Sequence, residues 1–228
     1  EELMSLRKLE GQFYKGVRIT GPQELECVKE ACGETRFDIE AAFSQGLPNT
    51  PMQHSRIKVV SGNFVTARPM GIIDGEDYLH TGVVRKVDAE SIQDLLSRGN
   101  IVLVSPTGFS PTGEAFNLTT EDVATAIAVA IHADKLILSV GVDGVRIQGE
   151  KQQDLTAQQA QALIQSKQVD DEDVYNLGYA LRAIKGGVDR VGGAFAAAAG
   201  GIAQRMLRLA HDEHFKVHAH LEKQLLLA

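Results

Sequence analysis

Two apolar runs, Ile101–Val104 and Leu136–Val140, constrain the fold of this chain more than any other feature. Runs that are apolar on both faces are typical of strands in the middle of a parallel sheet. A loop over residues 105–116 and a helix predicted from about Thr120 to His132 connect the two runs. The order of strand, loop, helix and strand predicts a right-handed crossover between parallel strands, and therefore an α/β fold.

The N-terminal part carries further start and stop signals. Gly16–Thr20 is predicted to be a short strand. Pro22, at a first helical position, predicts a helix that runs to about Ala31 and ends at Gly33. Between residues 56 and 87, short β-rich runs separated by glycine and proline predict hairpins.

Capping signals place three more helices. Asp88 is expected to cap a helix that ends at Gly99. Thr156 and Gln159 form a capping box for a second helix. The acidic cluster at residues 170–173 is expected to begin a third, which ends at Gly186-Gly187, because carboxylates in a first turn interact favourably with the helix dipole.

The C-terminal part has a different character. From Gly192 the sequence is rich in Gly and Ala, and it then carries His and Lys up to Ala228. We expect an appended terminal helix there rather than more sheet. His211, His214 and His218 would share one face of it, and a solvated face is the favoured interpretation over a metal site because no further ligand lies in a matching context.

Composition limits the partners and the compartment. The formal net charge is −7, which disfavours nucleic acid because such binding draws on clustered Lys and Arg. No apolar run approaches the roughly 18 residues of a membrane span. Cys27 and Cys32 fit neither a CxxC motif nor a zinc knuckle, so free thiols in a reducing cytoplasm are expected.

The predicted crossover loop offers a first group of ligand-binding candidates. A helix that begins near Asn117 would direct its free N–H groups at the edge of the sheet, where an anion is well received. Thr119 and Glu121 belong to this start. The alternative is that Glu121 and Asp122 only complement the helix dipole, and the two interpretations carry equal weight.

A second group follows the strand Leu136–Val140. Gly141, Asp143 and Gly144 lie where ligand contacts concentrate in open α/β sheets. A tight Asp-Gly turn into an edge strand at 145–147 is the favoured alternative. Arg18, at the end of the first strand, is a candidate to grip a carboxylate. No G-x-G-x-x-G, P-loop or G-x-S-x-G motif is present, so neither nucleotide binding nor hydrolysis is predicted.

Four segments carry a resemblance to a known family: Gly16–Thr20, Val59–Phe64, Asp74–Tyr78 and Gly113–Thr125. Together they resemble the amino-acid-kinase-like domain of bacterial N-acetylglutamate synthases, which is related to acetylglutamate kinase. The resemblance covers about residues 5–191. It implies a three-layer α/β/α fold with a mainly parallel central sheet, incomplete at the N-terminus. Residues 1–191 would be this domain, and 192–228 a divergent tail.

The family resemblance also implies a function. In the synthases, the kinase-like domain binds arginine as a feedback inhibitor, and a following domain moves acetyl from acetyl-CoA to glutamate in the first step of arginine biosynthesis. That second domain is not recognised in these residues, so no catalytic residue, metal or cofactor is expected in this chain. The expected ligand belongs to the arginine, glutamate or acetylglutamate class, and a homo-oligomer is expected.

Individual positions refine the resemblance. Arg18 and Asn117 match kinase positions that contact acetylglutamate. In the resemblance to the kinases, Glu121 and Gly141 stand at positions where the kinases have Asp, and Asn176 falls near a position where a lysine is expected. These departures favour a domain that transfers no phosphate. An ATP-dependent acetylglutamate-type kinase and a pure oligomerisation module remain the alternatives.

Overall fold

The computed structural model describes residues 7, 9–44, 57–140, 145–147, 150–151, 155–166, 169, 171–195 and 225–227. The chain divides into two compact units. One comprises Glu1–Val123 with Lys223–Ala228, and the other Ala124–Glu222.

The described residues form five helices and fifteen strands. The helices are α1 (Pro22–Ser44), α2 (Ala89–Ser97), α3 (Thr120–Ala130), α4 (Ala157–Ser166) and α5 (Asp171–Lys185). The strands are β1 (Gln12–Tyr14), β2 (Val17–Ile19), β3 (Val59–Ser61), β4 (Val65–Pro69), β5 (Ile72–Ile73), β6 (Glu76–Asp77), β7 (Gly82–Val87), β8 (Ile101–Val104), β9 (Thr107–Phe109), β10 (Ala115–Asn117), β11 (Lys135–Val140), β12 (Arg146–Ile147), β13 (Glu150–Lys151), β14 (Arg190–Phe195) and β15 (Leu225–Leu227).

Parallel pairing organises the apolar strands, as the sequence predicts. In the first unit, β8 lies between β3 and β15 and is parallel to both. All four residues of β8 are buried, which explains why the run is apolar on both faces. In the second unit, β11 pairs in parallel with β14. The predicted α/β fold is therefore confirmed.

A four-stranded sheet in the order β10-β9-β4-β7 lies in the first unit. Its antiparallel β4–β7 pair belongs to the segment where hairpins are predicted. The prediction of a plain loop over residues 105–116 is wrong, because β9 and β10 form an antiparallel hairpin there. Each strand has only three residues, too few for an alternating pattern to emerge among the neighbouring prolines and glycines.

Helix α1 is longer than predicted. It passes through Gly33 and ends at Ser44. A glycine inside a helix costs about 1 kcal/mol relative to alanine. The burial of Ile39 and Phe43 in the second half of α1 offsets this cost, because each side chain is almost fully removed from water.

The predicted start and end of α2 and the predicted end of α5 are confirmed. Asp88 Oδ1 accepts a hydrogen bond from the Ser91 amide at 3.2 Å at the start of α2. After α2, Gly99 adopts a φ of 76°. Its amide and that of the next residue bond the carbonyls of Leu96 and Leu95, which closes the helix in a Schellman arrangement. Gly187 ends α5 in the same way, with a φ of 98°.

The second unit contains two further elements that match their predictions. The Thr156 hydroxyl accepts from the Gln159 amide at 3.2 Å while Gln159 Oε1 accepts from the Thr156 amide at 2.8 Å, a complete capping box before α4. Helices α4 and α5 share an apolar cluster, formed by Ala160, Leu163, Leu177 and Leu181.

After residue 191 the sequence predicts a Gly/Ala-rich stretch and an appended terminal helix rather than more sheet, and both described stretches of this tail are strands instead. Residues 192–195 continue strand β14, and residues 225–227 form β15 beside β8. Three consecutive leucines are compatible with a buried strand and with a buried helix, because a short apolar run has no periodicity to distinguish them. His211, His214 and His218 lie outside the described residues, and the boundary at residue 191 stays a prediction.

Candidate functional site

Three segments that are distant in sequence meet at the end of strand β2. The amide of His80 donates to the carbonyl of Thr20 at 2.9 Å, and the amide of Asn117 donates to the carbonyl of His80 at 2.9 Å. Isolated β-bridges pair Thr20 with Leu79 and Thr81 with Asn117. These main-chain contacts place the end of β10 beside the residues that precede β7.

Side chains from the same segments form a polar cluster of Thr20, Thr81 and Asn117. The Thr81 hydroxyl donates to the carbonyl of Arg18 at 2.6 Å. Thr81 Oγ1 also accepts from the Thr20 amide at 3.0 Å, and it lies 2.9 Å from the Thr20 hydroxyl oxygen. Asn117 Nδ2 donates to Thr20 Oγ1 at 3.0 Å. One continuous hydrogen-bonded chain therefore runs from Asn117 to the main chain of Arg18.

The cluster is largely buried. Thr20 is 0% and Thr81 4% exposed, and Asn117 is half-buried. A buried polar group without a partner costs free energy, so each of these hydroxyls holds its neighbours in one arrangement. The cluster is thus a preorganised set of polar atoms at strand ends, where ligands bind in many α/β folds.

His80 and Glu114 form a second feature next to the cluster. His80 Nδ1 is buried and has no hydrogen-bond partner in the described part of the chain. Glu114 Oε1 lies 3.8 Å from it, and the ring of Phe116 is 6.4 Å from the imidazole between centroids. Because side chains alternate along a strand, Phe116 lies on the face of β10 opposite to Asn117, and Glu114 immediately precedes the strand.

The structure brings two of the predicted ligand-binding residues into this region. Arg18 lies in the middle of β2 and not at the strand end where it was predicted, and its guanidinium lies 4.5 Å from the centroid of the Phe13 ring. Asn117 ends strand β10 rather than beginning a helix, so the predicted helix start at Asn117 is wrong. The main-chain bond from Asn117 to His80 holds it in the sheet, an interaction that cannot be read from the local pattern.

The first turn of α3 has a partly structural role. The helix begins at Thr120, so Thr119 precedes it, and the carbonyl of Thr119 accepts from the amide of Val123 at 3.1 Å. Glu121 is half-buried in the first turn. Asp122 Oδ2 accepts from the amide of Val84 in β7 at 3.2 Å, which couples the helix to the sheet.

The remaining predicted candidates, Gly141, Asp143 and Gly144, lie outside the described residues. The edge strand expected after them is present as β12, which pairs with β13. Among the residues that the structure describes, no group of three or more His, Cys, Asp or Glu side chains is arranged to hold a metal ion. None of the described helices is long and apolar enough to cross a membrane.

Sequence reasoning missed Thr20, Thr81 and His80. Threonine in a strand is ordinary, and only the pairing of residues 61 apart identifies these two as one unit. For Thr20, the available signal was its position two residues after Arg18, in the segment Gly16–Thr20 that carries the family resemblance. Thr81 carried no local signal.

Polar side chains gathered at strand ends mark the places where many α/β domains bind small ligands. The amino acid kinase family matches residues 2–174. The chain belongs to that family.

Curated relatives agree with this assignment. An amino-acid acetyltransferase of Ralstonia nicotianae is 53% identical over 191 residues, which cover 83% of this chain and 42% of the relative. An amino-acid acetyltransferase of Aeromonas salmonicida is 42% identical over 195 residues, covering 83% of this chain and 44% of the relative. The chain spans less than half the length of these relatives.

Solved structures that resemble this chain include those of an N-acetylglutamate synthase. The N-acetylglutamate synthase of Neisseria gonorrhoeae complexed with coenzyme A and L-arginine is 31% identical, with a TM-score of 0.80 over 100% of this chain and 50% of that protein. The same synthase complexed with coenzyme A and N-acetyl-glutamate has a TM-score of 0.77 at 30% identity, over 100% of this chain and 49% of that protein.

Proposed function

We propose that this chain is the kinase-like part of an N-acetylglutamate synthase, a regulatory and scaffold domain that binds an amino-acid ligand without transferring phosphate. The observation that carries the proposal is the 53% identity over 191 residues to an amino-acid acetyltransferase. The likeness to a synthase complexed with L-arginine supports an amino acid as the ligand.

The ligand class is arginine, glutamate or acetylglutamate. The polar cluster of Thr20, Thr81 and Asn117 supports this, because it presents fixed hydrogen-bonding atoms suited to a small polar molecule. The half-buried Glu121 supports a domain that is not a kinase, since the residue stands where the related kinases have Asp.

The acetyltransferase activity is assigned to a longer protein of which this chain would be one part. Acetyl transfer from acetyl-CoA to glutamate, in arginine biosynthesis in the cytoplasm, would be performed by an acetyltransferase domain to which this part is joined. A homo-oligomeric assembly is proposed with it. The acetyl-CoA site would lie in that other domain, and no step of the chemistry is assigned to residues of this chain.

A phosphoryl-transfer assay tests the regulatory assignment. The purified chain is incubated with ATP, Mg²⁺ and N-acetylglutamate, and the formation of ADP is followed beside a sample without acetylglutamate. The two rates are expected to be equal. ADP formation that depends on acetylglutamate and saturates with it would contradict the proposal and support the kinase alternative.

A further inference from the structure

Helix α5 presents one exposed stripe along its length. Among the residues of α5 whose side chains the structure describes, the exposed ones are Tyr175, Gly178, Arg182 and Lys185. Their spacing alternates between three and four residues, so they share one face of the helix. Leu177 and Leu181 lie on another face, in the apolar cluster shared with α4. Helix α5 is therefore anchored through one face while this stripe, the α5 stripe, is exposed.

The aromatic and basic side chains at the α5 stripe hold one another in place. The Tyr179 hydroxyl donates to the Tyr175 hydroxyl at 3.0 Å, and the two rings meet edge to face at 5.0 Å between centroids. The guanidinium of Arg182 lies 4.9 Å from the centroid of the Tyr179 ring. Tyrosine and arginine are among the residues that most often carry binding energy in protein interfaces. Because these side chains are already ordered, docking a partner on them costs little conformational entropy.

Nothing in the described part of the chain requires a glycine at position 178. Gly178 lies in the middle of α5, its φ is not positive, and a Cβ there would meet no atom within 4 Å. Glycine is less favourable in a helix interior than every residue except proline. It does, however, allow another backbone to approach closely. The α5 stripe thus has its smallest residue at its centre, where a second helix can cross.

The charges of α5 are complementary to an antiparallel copy of the same helix. Residues 171–173 at its start are all acidic, and its last turn carries Arg182 and Lys185. Asp171 and Lys185 lie equally far from Gly178, on either side of it and on the line of the α5 stripe. A two-fold axis at Gly178 therefore brings each acidic end beside the basic end of the other copy. A partner of a single charge sign would be repelled by one end of α5.

We propose that the α5 stripe is a self-association surface, on which a second copy of the chain packs its own α5 in the antiparallel direction. Tyr175 of each copy lies beside Arg182 of the other, and Asp171 lies beside Lys185. The inference rests on the proposed function, which includes a homo-oligomer without naming the surface that forms it.

Charge exchange tests the antiparallel arrangement. Sedimentation velocity on the purified chain measures self-association at low salt over a range of concentrations. Lys185→Glu replaces attraction by repulsion at both ends of the two-fold interface, so the dissociation constant is expected to rise at least about tenfold. The double variant Asp171→Lys with Lys185→Glu exchanges the two charges and is expected to restore association. Circular dichroism checks that each variant keeps its helices.

Three results of this experiment would overturn the inference. The unaltered chain may not stay monomeric at every concentration, because the α5 stripe would then be left for another part of a longer protein. Association of Lys185→Glu must be weaker than that of the unaltered chain. Association of the double variant must be tighter than that of Lys185→Glu.

A thiol at the crossing point tests the position of the two-fold axis. In Gly178→Cys, the new thiols of two copies face each other, and air oxidation is expected to join them in a disulfide-linked dimer. Ser97→Cys is the matched control, because Ser97 is exposed on α2, and it is expected to give little cross-linked dimer. Equal cross-linking of the two variants would contradict an axis at Gly178.

Failure of the inference is distinguishable from failure of the proposed function, since the α5 stripe contains none of the ligand-binding candidates. Titration calorimetry on the same samples measures the binding of arginine, glutamate and acetylglutamate. If a ligand binds but Lys185→Glu leaves association unchanged, only the α5 interface is overturned. If none of the three binds while Lys185→Glu weakens association, the proposed function is overturned and the α5 interface stands.

Discussion

Asn117 Nδ2 donates a hydrogen bond to Thr20 Oγ1 at 3.0 Å across 97 residues of sequence. The contact joins the end of the β9–β10 hairpin to the end of the β1–β2 hairpin. Thr81 completes the junction, because its hydroxyl reaches both Thr20 and the carbonyl of Arg18. Three segments that are separate along the chain thereby become one polar unit.

Removal of the Thr81 hydroxyl should destabilise the chain. Thr81→Val removes the hydrogen bonds that the Thr81 hydroxyl makes with the buried Thr20 amide and with the Arg18 carbonyl. The free energy of unfolding should fall by about 1–3 kcal/mol. Urea denaturation followed by circular dichroism measures it. Thr81→Ser keeps the hydroxyl and is the matched control, and a Val variant more stable than the Ser variant would contradict the role given to the hydroxyl.

Gly82 should not tolerate a side chain. A Cβ at this position would lie 2.7 Å from Phe116 Cβ and 3.0 Å from the carbonyl oxygen of Arg68. Neither atom is the end of a flexible side chain, so the sheet itself would have to move. Gly82→Ala is expected to lower the free energy of unfolding by about 1–3 kcal/mol. A loss below the error of a urea titration would show that β7 and β10 are less closely packed than described.

Gly33 is the opposite case. It lies inside α1, its φ is not positive, and a Cβ there would meet no atom within 4 Å. Gly33→Ala should therefore raise the free energy of unfolding by about 0.5–1 kcal/mol, through the lower flexibility of the unfolded chain. The same urea titration compares the two alanine variants. Destabilisation by Gly33→Ala would indicate that the helix is interrupted at this position.

The cap of α2 should make stability depend on pH. Hydrogen bonds from the hydroxyl and amide of Ser91 hold the pKa of the Asp88 carboxyl below its ordinary value, and nearby Lys86 adds to this. A carboxyl whose pKa is lower in the folded chain than in the unfolded chain stabilises the fold at pH values above the unfolded-state pKa. This stabilisation is lost as the pH falls through the folded-state pKa. Asp88→Ala should therefore lower the midpoint temperature of thermal denaturation at pH 7.

The difference between Asp88→Ala and the unaltered chain should narrow below about pH 4, where the carboxyl of the unfolded chain becomes protonated. Thermal melts at pH 7, 5 and 3 compare the two proteins. A difference that stays constant over this range would mean that the charge of Asp88 contributes nothing.

Both cysteines should be slow to react in the folded chain. Cys27 is buried, and burial raises the pKa of the Cys32 thiol, although a hydrogen bond with Ser105 partly opposes this. A raised pKa leaves little of the nucleophilic thiolate at neutral pH. Alkylation by iodoacetamide at pH 7.5 should be much slower in the folded chain than in urea. Equal rates would contradict the described packing of α1.

Local signals in the sequence predicted much of the fold because they act over a few residues. Asp88, Thr156 and Gly187 mark helix ends through bonds to their own turns. The apolar run of β8 likewise predicted burial between parallel strands, because every residue of the run is apolar. By contrast, the β9–β10 hairpin depends on cross-strand pairing of two three-residue strands, which leaves almost no periodic pattern.

The candidate site was predicted only in part. Arg18 and Asn117 were singled out, but Asn117 was placed on a helix because its bond to His80 is a long-range contact. Thr20 and Thr81 gain their significance from hydrogen bonds between residues 61 apart. Such contacts become visible only when the chain is folded.

Titration calorimetry with L-arginine and with ATP–Mg²⁺, on the purified chain, tests the central claim of an amino-acid-binding domain that transfers no phosphate. The account predicts saturable binding of L-arginine, or of glutamate or N-acetylglutamate in its place, and no heat with ATP–Mg²⁺. Saturable binding of ATP–Mg²⁺ with no response to any of the three amino-acid ligands would contradict it.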